Sequence, residues 1–246
     1  EALEFLFRDI QDEVFFDNDR LSPGCSGTRI VLDFEHLPEG QISELTVGSG
    51  ISVLSPLGSP FEGAVTITAD SNSITQDINA ATIFDGACAP QGSPSGCTGG
   101  DPDLFFPAQE NILIINENLN FGHPDDSANG GTIFLDFNDL PGRIDVESVT
   151  VLDIDDSADA FFVFDSVFDG VLPVKLTTTG NNGAAIQNLD QEAVTSMTIV
   201  TGGSMAGDDI TLCVTPQADI VRAIWEGDID GTKGIPNRLV ETALDT

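Results

Sequence analysis

Gly27-Thr-Arg-Ile-Val-Leu-Asp-Phe-Glu-His-Leu-Pro38 is the stretch that decides the fold class. Thr28 to Phe34 carries the two-residue alternation of a strand, rich in β-branched and apolar side chains. Glu35-His-Leu-Pro-Glu-Gly40 closes it as a turn. Gly131-Thr-Ile-Phe-Leu-Asp-Phe-Asn-Asp-Leu-Pro141 repeats the pattern with one residue deleted. Nothing around the match repeats, so it reads as a shared local solution rather than as two duplicated sheets.

Outward from this unit the same texture continues. Ile51–Leu54, Ala64–Ala69, Ala81–Phe84, Thr132–Phe137, Ser148–Ile154, Ala160–Phe164, Val171–Thr177, Thr195–Thr201 and Ile210–Val214 read as short strands separated by Gly, Ser, Pro and Asn. Asn111-Ile-Leu-Ile-Ile-Asn116 is apolar without alternation, the mark of a central strand buried on both faces. Short strands at near-regular spacing with almost no helical period predict an all-β fold, a two-sheet β-sandwich of jelly-roll type with short terminal appendages. The expected division is an N-terminal segment over 1–26, the sandwich over 27–215 and a C-terminal tail over 216–246. The first segment reads either as an amphipathic helix or as an edge strand, and Ala218–Trp225 suits a short helix.

Composition supports a packed core. Hydrophobic residues make up 40% of 246, and the aromatic complement is 16 Phe, one Trp and no Tyr. Phe suits a dry interior because it brings no hydroxyl that must find a partner. The charge balance is extreme: 8 Lys plus Arg against 41 Asp plus Glu, a formal net charge of -33. Such a surface repels phosphate backbones and anionic membranes, which excludes nucleic-acid partners. Divalent cations and salty water remain as favourable company. No stretch reaches the roughly 18 apolar residues of a membrane span, so membrane insertion is not expected. A start at Glu1 without a basic and apolar leader fits a mature chain from which a signal peptide was removed, or an excised piece.

Four cysteines allow three pairings. Cys88 and Cys97 enclose a turn-rich octapeptide and are expected to bond locally, which leaves Cys25 and Cys213 to link an early strand to a late one. A zinc site competes poorly, since the spacings match no zinc pattern and His36 and His123 are the only histidines. Paired cysteines with few lysines point to an oxidising, secreted, extracellular or cell-surface location.

The chemistry concentrates between Gly100 and Thr132. Calcium takes about six to eight oxygens from carboxylates and carbonyls on bendable loops. Asp101-Pro-Asp103, Glu117 and Asp125-Asp126 flank one strand, so Asp101, Asp103, Glu117, Asp125 and Asp126 are the predicted calcium ligands. The competing reading is that each Asp only caps its own turn. Asp153, Asp155 and Asp156 form a weaker candidate set. Asp228-Ile-Asp230-Gly231 opens like an EF-hand loop but lacks the later ligands. Gly203-Ser204-Met205-Ala206-Gly207 does not fit a nucleophile elbow, and carboxylates are too abundant here for a glycosidase pair to stand out.

Gly100-Asp-Pro-Asp-Leu104, Asn111-Ile-Leu-Ile-Ile-Asn-Glu117, Pro124-Asp-Asp126 and Gly130-Gly-Thr-Ile133 resemble a poorly characterised group of secreted, acidic β-sandwich domains of large extracellular proteins from marine microbes. The resemblance runs from about Gly27 to Val214. Phe105-Phe106-Pro107 replaces a Gly that members carry after Asp-x-Asp-Leu. It implies a surface or matrix role and no defined biochemistry. The expected function is therefore an extracellular calcium-binding sandwich in adhesion or matrix assembly, with glycans or extracellular surface proteins as partners. A self-assembling filament or sheet subunit joined through its terminal segments, and a carbohydrate-active enzyme such as a glycoside hydrolase, are the alternatives; no catalytic residue is predicted.

Overall fold

The structure is a computed structural model that describes residues 25–35, 37–55, 61–73, 80–87, 104–106, 108–117, 124–154, 159–167, 170–180 and 182–216. Within them the chain is all β: β1 (Thr28–Leu32), β2 (Gly40–Gln41), β3 (Glu44–Val47), β4 (Gly50–Ser55), β5 (Ala64–Ser71), β6 (Ala81–Asp85), β7 (Asn111–Ile115), β8 (Gly131–Asp136), β9 (Arg143–Leu152), β10 (Ala160–Ser166), β11 (Gly170–Lys175), β12 (Ala184–Gln191), β13 (Val194–Thr201) and β14 (Ala206–Thr215). No helix among the described residues is long and apolar enough to cross a membrane.

The strands form one hydrogen-bonded path, β11-β10-β13-β8-β5-β3-β4-β1-β14-β7-β6-β2, from which β9 and β12 branch at β14. Every described ladder is antiparallel except the two-residue β3–β4 contact. One hydrophobic cluster takes side chains from most of the path, including Ile30 and Leu32 of β1, Ile67 of β5, Leu135 of β8, Phe162 and Phe164 of β10, and Leu212 of β14. A smaller cluster joins Phe84, Leu104, Phe106, Ile112, Ile114, Leu152 and Ala206. β7 explains why both exist. Its Leu113 and Ile115 enter the large cluster and its Ile112 and Ile114 the small one, so the uninterrupted apolar run serves two cores at once.

The repeated sequence unit becomes a repeated structural unit. After β1 and β8 alike, a buried Phe anchors the turn, and the Leu three residues on donates its N–H back to it: Leu37 to Phe34 at 2.9 Å and Leu140 to Phe137 at 3.0 Å. Each unit begins on a glycine for the same reason. A Cβ on Gly27 would overlap the carbonyl oxygen of Val214, and one on Gly131 that of Asp70. β1 and β8 are not neighbours, which agrees with a local solution used twice.

Cys25 and Cys213 form a disulfide with Cα atoms 5.4 Å apart, joining the entry to β1 with β14 across 188 positions. Beside it Arg29 reaches from β1 across β14 to Glu147 of β9, donating from Nε at 2.7 Å and from Nη2 at 2.9 Å. Three elements escape the sequence pattern. β2 and β3 are too short to display a period, and β12 (Ala184–Gln191) carries Ala, Gln, Asn and Asp, residues depleted in strands. The partner of β12 among the described residues is β9, which sets its register.

Candidate metal centre at Asp126 and Asp153

Two of the predicted acidic residues, separated by a whole strand pair, converge on one hydroxyl. Beyond β7, Asn116 forms an isolated bridge with Asp126, and Glu117 donates its N–H to the carbonyl of Asp125 at 2.8 Å, so the acidic loop folds back along the exit of β7. Beyond β9, Asp153 takes a left-handed backbone conformation, φ +55, which turns the chain sharply out of the strand. Its N–H donates to Gly183 at 2.8 Å. Its carboxylate accepts from the N–H of Asn182 at 2.8 Å and from the Ser204 hydroxyl at 2.7 Å. Asp126 accepts from the N–H of Met205 at 3.0 Å and from that same Ser204 hydroxyl.

Both carboxylates are buried, Asp126 at 5% exposure and Asp153 at 1%. A serine hydroxyl carries one hydrogen and cannot donate to both at once. Two buried carboxylates that converge on one hydroxyl repel each other unless a proton or a cation lies between them. The described basic groups are engaged elsewhere: Arg29 with Glu147, Arg143 with Asp145 and Glu192, Lys175 with Asp159. The two carboxylates and the hydroxyl are oxygen donors, the type that hard cations take.

The other sequence candidates fall in different places. Glu117 adjoins the centre, but its carboxylate accepts from the N–H of Ala128 at 3.1 Å and so tightens the turn. Asp125 contributes its carbonyl to the same loop. Asp101, Asp103, Asp155, Asp156, Cys88 and Cys97 lie outside the described residues. Ser204 was visible in the sequence only as a failed catalytic motif. Its position, in the Gly202-Gly-Ser link between β13 and β14, places it opposite both acidic loops. Sequence reasoning also passed over Asp33, Glu35, Glu110, Asp208 and Asp209, for which the backbone topology supplies the common location.

Among the described residues one group of three ligand-type atoms lies within 4.8 Å of one another: Cys25, Glu147 and Cys213. Its sulfurs are spent on the disulfide and its carboxylate on Arg29, so it is not a metal centre.

No protein-family model and no curated protein matches the sequence. A solved structure described as the infectious bursal disease virus Gt strain overlaps 80% of this chain and 70% of its own at 13% identity, with a TM-score of 0.19. At that score the overlap carries no argument about fold or function.

Proposed function

We propose that this chain is a secreted calcium-binding β-sandwich of jelly-roll type that acts in extracellular adhesion or matrix assembly. The observation that carries the calcium reading is the meeting of the buried Asp126 and Asp153 carboxylates at the Ser204 hydroxyl. A cation there would tie together the chain leaving β7, the chain leaving β9, the turn before β12 and the β13–β14 link. Four loops at one end of the strands would become a stiff face able to meet glycans or a surface protein. The Cys25–Cys213 disulfide and the charge of -33 suit an oxidising, saline exterior. Shared core side chains from distant parts of the strand path support the two-layer arrangement.

The test is a calcium titration of chelator-treated protein followed by its melting temperature. Saturable stabilisation that Asp126→Asn and Asp153→Asn each weaken at least ~10-fold supports the reading. Melting indifferent to calcium and to chelator sinks it.

A filament or sheet subunit is the second reading, and the sheet edges favour it. Among the described residues β11 pairs only with β10 and β12 only with β9, and Val171 and Ile186 on these edges are 67% and 68% exposed. Unpaired edges accept a further strand from a neighbouring copy. Long polymers in solution that disperse on Ile186→Lys would select this reading, whereas a calcium-stabilised monomer selects the first.

A further inference from the structure

β14 changes neighbour in mid-course, and both of its residues at the changeover, Asp208 and Asp209, are acidic. Along one side it keeps β9 as its partner. Along the other it pairs with β7 at Ala206 and Gly207, then with β1 from Ile210 to Val214. Asp208 and Asp209 fall in the gap. The register with β9 slips between Asp208 and Thr211, and Asp209 is left-handed at φ +46. The bulge turns the strand over: Ala206 packs into the small cluster, while Ile210, Leu212 and Val214 pack into the large one. Asp208 remains at the turnover with 1% exposure.

The chain ends that border this gap bring more carboxylates. Leu32 pairs with Ile210, so Asp33 is the next position toward Asp209. Glu35 follows, and its carboxyl faces that of Glu110, which precedes β7 and is itself left-handed at φ +48. Asn111 holds the two ends together, its amide donating to the carbonyls of Phe34, Glu35 and Leu37 at 3.3, 3.4 and 3.1 Å.

Three oxygens of this basin are buried with no hydrogen-bond partner: Asp33 Oδ1, Glu35 Oε2 and Asp208 Oδ1. An orphaned buried carboxylate oxygen is costly, and three in one place call for a common partner. The second copy of the strand–turn unit supplies the control. After β8 the matching Asp136 accepts from the backbone and side-chain nitrogens of Asn138, at 3.0 and 2.7 Å. After β1 the position of Asn138 is Glu35. The amide donor that satisfies the acid in one copy is replaced by another acid in the other. Burial, with the neighbouring Asp209 charge, pushes Asp208 up to about 9, and burial together with Glu110 pushes Glu35 up to about 7. The arrangement is costly when charged and alone.

We propose that Asp33, Glu35, Glu110, Asp208 and Asp209 form a calcium site separate from the Asp126–Asp153 centre, with Asp208 as its floor. The donors are all oxygen, and Glu110 and Asp209 stand exposed on the surface. That suits calcium, which takes about six to eight oxygens in loose geometry, better than magnesium, which demands a strict octahedron. No three of these carboxylates already stand within 4.8 Å of one another, so the ion draws in the exposed Glu110 and Asp209 side chains. His36 is adjacent in sequence and lies outside the described residues.

The experiment is calorimetric titration of calcium chloride into the chelator-stripped full chain, carried out in the Asp126→Asn/Asp153→Asn background so that the other centre is silent. Residual saturable binding is expected. Glu35→Asn, which copies the turn after β8, should weaken it at least ~10-fold while leaving the melting temperature in chelator equal or higher. Asp208→Asn should do the same, and Asp209→Ala, on the surface, repeats the test without touching the interior. Undiminished binding in all three variants overturns the site. So does an absence of residual binding in that background when the parent chain binds a single ion; the Asp126–Asp153 reading would survive that result. Calcium heats present in the background and absent from the parent's Asp126→Asn and Asp153→Asn differences would leave this site standing and remove the other.

Discussion

Glu35 stands in the turn after β1 where Asn138 stands in the turn after β8, and it has lost the amide that Asn138 gives to Asp136 at 2.7 Å. Both turns keep the same buried Phe and the same Leu-to-Phe backbone bond. The two turns differ in polar chemistry and in one backbone feature, since Phe34 is left-handed at φ +57 and Phe137 is not. Glu35→Asn should let position 35 donate to Asp33 as Asn138 does to Asp136, raising stability in chelator by about 1 kcal/mol, the usual net value of one hydrogen bond. Urea unfolding of the metal-free protein measures this. A loss of stability would mean that the two turns share the Phe anchor and the Leu-to-Phe bond only.

Stability of the metal-free protein should fall as pH rises. Asp208 and Glu35 keep their protons in the folded chain up to about 9 and about 7. Unfolded, they release them near the ordinary carboxylate range of about 4. Between those limits the folded state binds more protons than the unfolded one, so the unfolding free energy declines with pH and levels off above the raised values. Melting temperatures in chelator from pH 5 to 9 should therefore drop steadily. General repulsion within a chain of net charge -33 pushes in the same direction, so the diagnostic is Asp208→Asn, which should flatten the alkaline half of the profile. An unchanged slope in that variant would remove Asp208 as the cause. Calcium should flatten the wild-type profile too.

The Cys25–Cys213 disulfide closes a segment of 188 positions between the entry to β1 and β14. Closing so long a loop restricts the unfolded chain by about 5 kcal/mol in the chain-entropy account. Paired Cys25→Ser and Cys213→Ser replacement should lower the denaturant midpoint accordingly. Arg29 and Glu147 still bridge β1 to β9 across β14 in that variant, so the local sheet should persist below the transition. A loss of unfolding free energy under about 1 kcal/mol would place the two ends close together already in the unfolded chain.

The extent to which all this was legible follows from what sequence patterns encode. β7 was readable because Asn111-Ile-Leu-Ile-Ile buries both faces, and β1 and β8 because their units repeat. β12 was not, because Ala184–Gln191 lies half exposed at an edge and its register comes from β9 rather than from its own side chains. Asp126 and Asp153 stood out as acidic turns, but their meeting depends on Ser204, 78 and 51 positions further along. Asp208 and Asp209 were hidden because a pair of acids inside a strand has no sequence signature; only the change of neighbour from β1 to β7 makes their position special.

Phe34 and Phe137 should be equivalent anchors. Each is almost wholly buried, at 0% and 1% exposure, and each receives the N–H of the Leu that closes its turn. Truncating either to Ala should cost about 3–5 kcal/mol by loss of apolar contact and by the cavity left behind. Phe34→Ala should in addition weaken calcium uptake, because Phe34 sits between Asp33 and Glu35 at φ +57 and its carbonyl is held by Asn111. Phe137→Ala lacks that connection and should leave calcium uptake as it was. Equal effects of the two on calcium heats would show that the strand–turn frame does not position the acids.

Ser204 separates the two explanations of the Asp126–Asp153 meeting. If a proton bridges the carboxylates, the hydroxyl is one member of a buried hydrogen-bond network, and Ser204→Ala should cost about 1–3 kcal/mol with or without calcium. If calcium bridges them, the metal-free cost should be of that size, and calcium should restore most of it, since the ion satisfies both carboxylates without the hydroxyl. Melting curves of Ser204→Ala against the parent, each with chelator and with excess calcium, make the comparison. The Met205 N–H continues to donate to Asp126 in either case, so the loop keeps its place. A deficit unaltered by calcium would leave the centre as a structural hydrogen-bond network, and the calcium-ordered loop face would lose its support.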